Sequence, residues 1–178
     1  MPLKNIILKQ DLAGITSADI DWLQFNNKTV LITGASGFLP AYMVETLLYL
    51  NNNYDNFNVS VIALVRNKEK AISRFTDYKG DDHLVFIEQD VCSEISIQGP
   101  VDFIIHAASQ ASPKYYGIDP VGTLSANVLG TINLMKLAQV KNVTSFLYFS
   151  SGEIYGQLDD SAFPVVEDNY GYIDPLKV

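Results

Sequence analysis

The sequence predicts a doubly wound parallel α/β sheet, and three observations carry that prediction. Five short apolar runs rich in β-branched residues alternate with longer stretches whose apolar residues recur at helical spacing. A glycine turn, Gly34-Ala35-Ser36-Gly37, follows the first run directly. Small and polar residues gather just past the ends of these runs, where open parallel sheets bind their ligands.

The elements follow in chain order. Residues 1–27 read as a leader, with short capped turns at Asp11–Gly14 and Thr16–Asp19, and with Trp22 and Phe25 docking it on the main body. The domain proper is expected over 28–178. Thr29-Val30-Leu31-Ile32 is the first buried strand. After the glycine turn, Tyr42, Met43, Leu47, Leu48 and Leu50 mark a helix, and the polar run Asn51–Asn58 reads as a loop. Val59–Val65 is the second strand, Lys68–Tyr78 a surface helix, Leu84–Ile87 the third strand and Val101–Ile105 the fourth. A long helix follows, with Leu124, Val128, Ile132 and Met135 on one stripe and Leu134, Leu137 and Ala138 beside it. Ser145–Phe149 is the fifth strand.

Composition bounds the function. Of 178 residues, 48% are hydrophobic and 18% charged, which suits one globular domain. Twenty acidic against 12 basic side chains leave a net charge of −8, which argues against a nucleic-acid surface. Cys92 is the single cysteine, so an internal disulfide and a CxxC pair are excluded. The widely separated His83 and His106 offer no metal cluster. The N-terminal apolar run is short for a signal peptide, and no stretch reaches the roughly 18 apolar residues of a membrane span. A cytoplasmic protein without a membrane partner is expected.

Chemistry is sought at the strand ends. Gly34 and Gly37 permit a tight turn and a close approach of pyrophosphate, with Ser36 between them and the N–H groups of the next helix aimed at the phosphate. The third position of the usual glycine spacing is Pro40, tolerable in a first helical turn. The alternative is a plain glycine turn. Arg66, with Lys68 or Lys70 near it, stands where an acidic residue would favour NAD and an Arg can accept the 2′-phosphate of NADP. A solvated charge cluster is the competing explanation, and the choice between NAD and NADP stays open. Past the third strand, Asp90 can bond an adenine amino group with Val91 covering the ring, or Asp90 can cap a turn. Ala107, Ala108 and Ser109 are small enough for ribose and nicotinamide to lie against the backbone, while His106 reads as a packed histidine. The fifth strand ends in Ser150-Ser151-Gly152-Glu153, two hydroxyls and a carboxylate, or a serine-rich turn with a capping Glu.

TGASGF at 33–38, DV at 90–91, HAAS at 106–109, NVLGT at 127–131 and SSGEIYG at 150–156 together resemble the extended short-chain dehydrogenases/reductases. These are the NAD-dependent nucleotide-sugar epimerases, dehydratases and decarboxylases, with a Rossmann-like fold. The segment from Ala111 to Ala138 looks most like UDP-glucuronate decarboxylases and dTDP-glucose 4,6-dehydratases. The resemblance implies a tightly held NAD or NADP that takes hydride from sugar C4 and usually returns it. It implies cofactor contacts at Gly34, Ser36, Gly37, Phe38, Leu39, Arg66, Asp90, Val91, Ala107, Ala108, Ser109, Asn127 and Ser150. It implies a nucleotide-sugar substrate at Ser109, Lys114 and Tyr115. Ser151 matches the family's hydroxyl on the C4 oxygen, and Glu153 the Glu that assists proton removal or decarboxylation. Gly152 replaces the usual Asp or Ser, so no general acid stands there.

The family's base is the Tyr of a Tyr-x-x-x-Lys motif, in which the Lys lowers the Tyr pKa. No Tyr of this sequence has a Lys four residues on; Tyr170 and Tyr172 are followed at that spacing by Asp174 and Leu176. The expectation is therefore the N-terminal, cofactor-binding portion of a longer enzyme, inactive alone. By the same resemblance the parent is a homodimer paired through the helix at 121–139, whose Leu124–Val128–Ile132 side would here be exposed. Two alternatives are an NADPH-dependent carbonyl reductase of the same superfamily and a non-catalytic dinucleotide-binding module.

Overall fold

The computed structural model describes residues 5–110 and 112–173. Residues through Tyr148 form one compact unit and those from Phe149 a second, and each is described by itself.

The first unit is built on five parallel strands, β1 (Lys28–Thr33), β2 (Val59–Val65), β3 (Leu84–Glu88), β4 (Phe103–His106) and β5 (Ser145–Tyr148). Their order is β3-β2-β1-β4-β5. The chain moves outward from β1 through β2 to β3, then returns to pair β4 on the other side of β1. Parallel sheets covered on both faces need strands that are apolar throughout. Residues 30–33 of β1 are accordingly all buried, and the alternation of side chains divides them between two cores. Val30 and Ile32 join Val61, Ala63 and Val65 beneath α2 (Phe38–Asn53) and α3 (Lys68–Arg74). Leu31 joins Ile62, Leu64 and Ile104 beneath α5 (Pro120–Lys141), where Leu134 and Leu137 are inserted.

Four local expectations are corrected. The turn expected at Asp11–Gly14 is part of one helix, α1 (Ile6–Thr16), capped by Asn5 and packed on α2, and the turn expected at Thr16–Asp19 closes its C-terminal end. Its Leu8, Leu12 and Thr16 are buried at four-residue spacing, and that stripe overrides Gly14. Helix α2 runs through Asn53 into the expected loop, because Asn52 and Asn53 donate to the Leu48 and Tyr49 carbonyls while Asn51 both donates to and accepts from Val59. The helix expected at Lys68–Tyr78 breaks at Phe75 into α3 and a 3₁₀ turn, Thr76–Tyr78; it lies on the surface as expected and buries Ala71, Phe75 and Tyr78. Arg74 of α3 reaches the buried Glu45 of α2 at 3.0 Å. Strand β4 begins two residues later than expected, and the Asp102 carboxylate just before it takes the Thr29 N–H (2.8 Å) and the Lys28 ammonium (3.1 Å) at the amino-terminal end of β1.

Trp22 and Phe25 dock as expected against the core beneath α2. The two stripes of α5 separate: Leu134 and Leu137 are buried, whereas Leu124, Val128, Ile132 and Met135 face outward. A four-residue helix, α4 (Pro113–Tyr116), precedes α5. The second unit holds two 3₁₀ turns, Gly152–Tyr155 and Asp160–Ala162, and an antiparallel bridge between Gln157 and Tyr172. Among the described residues, no helix is long and apolar enough to cross a membrane.

Candidate functional site

The switch in strand order between β1 and β4 opens a crevice at the carboxyl ends of the strands, the place where doubly wound sheets bind ligands. A cleft of about 430 Å³ lies there, lined by the exits of β1, β2, β3 and β4 and by the first turns of α5.

Three groups converge at the end of β1. Thr33 is fully buried, and its Oγ1 accepts the N–H groups of Ala107 (3.2 Å) and Ala108 (3.1 Å). With both lone pairs occupied, its O–H is the donor to Nδ1 of His106, 2.9 Å away. The His106 proton therefore sits on Nε2. Burial pushes the His106 pKa down, and a weaker approach to the Ala126 carbonyl works the other way. His106 is thus a neutral strut that bolts β4 to β1, in keeping with the packed histidine expected. The bolt draws the backbone in closely: a Cβ on Gly34 would stand 2.9 Å from the Ala107 carbonyl oxygen. Gly34 also has φ +63, so glycine is required there twice over. Gly37 donates to the Gly34 carbonyl and caps α2. The helix geometry leaves the Phe38 and Leu39 N–H groups without partners inside α2, and Pro40, buried in the first turn, has none to leave. The Phe38 and Leu39 side chains point to solvent.

Arg66 and Lys70 line the cleft with Asn67, past the end of β2. Lys68 is not among the lining residues; its N–H donates to Glu88 Oε1 at 2.9 Å. Beyond β3, Asp90 caps a turn and also faces the cleft. It lines the cleft, and its Oδ1 accepts the Cys92 N–H at 2.8 Å, which holds the carboxyl below the usual range. Val91 is buried against Gly130, where a Cβ would come within 2.7 Å of the Val91 Cγ2. Ala107, Ala108 and Ser109 complete the expected lining.

The sequence reading missed Thr33, Gln89, Gln110, Asp119, Gly122 and Ser125. Asp119 accepts the Gly122 N–H (2.9 Å) and the Gln110 amide (3.0 Å), contacts that hold its carboxyl below the usual range. Its signal was an Asp directly before a Pro at a helix start. Asn127 lines a different, shallow groove on the outer side of α5 with Val128, Thr131 and Ile132. Lys114 and Tyr115 are exposed on α4, outside the cleft's lining. Ser150, Ser151 and Glu153 belong to the second unit, where Ser151 Oγ accepts the Glu153 N–H at 3.3 Å and all three are exposed. Among the described residues, no group of three His, Cys, Asp or Glu side chains is placed to hold a metal.

Comparison with known proteins adds four findings. The model of the NAD dependent epimerase/dehydratase family matches residues 30–175. UDP-glucuronic acid decarboxylase 4 of Arabidopsis thaliana is 33% identical over 152 residues, 84% of this chain and 31% of that one, so the chain spans about a third of that relative's length. Among solved structures, a dTDP-glucose 4,6-dehydratase of Streptomyces venezuelae with NAD bound is 25% identical, with a TM-score of 0.62 over 74% of this chain and 42% of that one. UDP-N-acetylglucosamine 4-epimerase of Methanobrevibacter ruminantium M1 shares the fold at a TM-score of 0.67, with 19% identity over 82% of this chain and 44% of that one.

Proposed function

The chain belongs to the NAD dependent epimerase/dehydratase family, and from that premise we propose that it holds NAD or NADP in the cleft at the β1–β4 switch and serves a nucleotide-sugar enzyme oxidising its substrate transiently at C4. One observation carries the reading: four strand exits and the start of α5 converge on a single cleft, with Gly34 pressed to the Ala107–Ala108 backbone. The donors suit a dinucleotide. The free N–H groups at the α2 terminus would take the pyrophosphate. The Asp90 carboxylate would accept from an adenine amino group. The alanines past β4 leave room for the second nucleoside.

A nicotinamide ring held there supplies reversible hydride acceptance. The chain's residues supply the rest. Ser151 accepts the Glu153 N–H and keeps its own hydroxyl proton to donate, which suits it to orient the C4 oxygen of a sugar. Glu153 would take a proton next to the C4 ketone or assist loss of carbon dioxide from a substrate carboxylate, because the ketone delocalises the electron pair left on carbon. Substrate contacts are proposed for Ser109, Lys114 and Tyr115, and further cofactor contacts for Asn127 and Ser150. With no Tyr-x-x-x-Lys pair in the sequence, these 178 residues bind cofactor without turnover.

Calorimetric titration with NAD and with NADP tests the reading; saturable binding of at least one is expected, and no heat with either overturns it. Arg66 favours a second reading, a carbonyl reductase using NADPH. A complete enzyme that forms product from UDP-glucuronate with no net change in nicotinamide absorbance supports internal redox. Cofactor consumed in step with product supports the reductase.

A further inference from the structure

The outer end of the cleft carries cations where a ribose diol would need acceptors. Arg66 is the first residue past β2, the position from which an acidic side chain would accept the ribose 2′-hydroxyl. Arg66 and Lys70 both line the cleft, and neither forms a salt bridge among the described residues. Asn67 between them has its Oδ1 engaged by the Lys70 N–H at 2.7 Å, so its amide hydrogens are what it can offer a ligand. Glu88 is one alternative acceptor, paired with Val65 by strand register. It is outside the cleft's lining and accepts the Lys68 N–H. The carboxylates that do line the cleft belong to Asp90, past β3, and Asp119, at the start of α5, and each already accepts a backbone N–H.

Resting on the dinucleotide site described above, we propose that Arg66 and Lys70 form a mouth for the 2′-phosphate, so that this chain selects NADP over NAD. This departs from the NAD dependence in the family's description. The guanidinium fork meets two phosphate oxygens in one plane, and the ammonium meets a third as a point charge. Neither group can accept a hydrogen bond, so neither replaces the acidic side chain that would take the ribose 2′-hydroxyl proton, and the neutral hydroxyl oxygen they can still donate to is a weaker partner than a phosphate oxygen.

The test uses ligands that occupy only the adenosine end: 2′,5′-ADP and 5′-ADP, titrated into the chain by calorimetry. The wild type should bind 2′,5′-ADP at least about tenfold more tightly, the scale of one charge-assisted bidentate contact. The ratio should fall with added salt, because both contacts are at the surface. Arg66→Asp should bring the ratio to one or below while keeping its affinity for 5′-ADP, which also shows that the variant is folded. Lys70→Gln should lower the ratio by a smaller factor. A wild type that binds both probes equally overturns the inference and leaves the dinucleotide site standing. Arg66→Asp weakening both probes alike also overturns it. Binding of neither probe overturns the inference and the site together.

Discussion

At the scale of single residues, a threonine hydroxyl at the end of β1 holds three groups: the Ala107 and Ala108 N–H groups and the His106 ring. The hydroxyl and the His106 ring are buried, while Ala107 and Ala108 are half-buried at the cleft. Thr33→Val keeps the shape and removes the hydroxyl, leaving the buried His106 Nδ1 without its donor and the half-buried Ala107 and Ala108 N–H groups without their acceptor, at a cost of about 1–3 kcal/mol. A thermal melt should show that loss for Val and recovery for Thr33→Ser, which restores the hydroxyl. A Val variant as stable as wild type would show that the hydroxyl is not what joins β1 to β4. Sequence pattern placed Gly34 and the alanines in the site. It did not single out Thr33, because the role of a strand-end threonine depends on a residue 73 positions away.

At the scale of elements, α5 shows where periodicity reaches its limit. Both its stripes are apolar at helical spacing, so pattern alone does not say which faces the sheet. The structure buries Leu134 fully and leaves Met135 54% exposed. Leu134→Ala should therefore lower stability by about 2–5 kcal/mol. Met135→Ala should fall within about 0.5 kcal/mol, as exposed substitutions do. Equal losses in denaturant melts would contradict the assignment of faces. The strand boundaries were legible to within two residues for a related reason. A strand covered on both faces is apolar end to end, and its limits show as the loss of that run. The helix boundaries near Asn51–Asn53 and Gly14 were not legible, because side-chain bonds to neighbouring carbonyls and a buried four-residue stripe override local propensity.

At the scale of the whole first unit, the Glu45–Arg74 pair gives stability a pH dependence. Burial raises the Glu45 pKa above its ordinary 4.5, and Arg74 only partly opposes the shift. The folded protein then binds a proton more readily than the unfolded chain at this site. Its contribution to stability is full below pH 4.5 and is lost as the pH rises through the raised folded value. Glu45→Gln cannot titrate, so its melting temperature should decline less than the wild type's as the pH rises from 4.5. Parallel profiles for the two proteins would show that Glu45 is not the group responsible. The charges of α3 are visible in sequence and mark it as a surface helix, with Ala71 its buried residue, but the burial of Glu45 beneath Arg74 is not legible there.

Local pattern was enough to read the fold class, the order of the elements and the glycine and alanine lining of the cleft. Each depends on residues close together in the chain: apolar runs, helical spacing, a turn that only glycine allows. Packing assigned the rest. The pairing of β1 with β4 creates the crevice, brings Arg66 and Lys70 to it without Lys68, and adds Asp119 and Gln110 from beyond the fourth strand. It also turns His106 into a strut and Glu45 into a buried acid. Those outcomes depend on which distant segments meet, and the free energy of that meeting is set by burial and by hydrogen bonds that no short stretch of sequence contains.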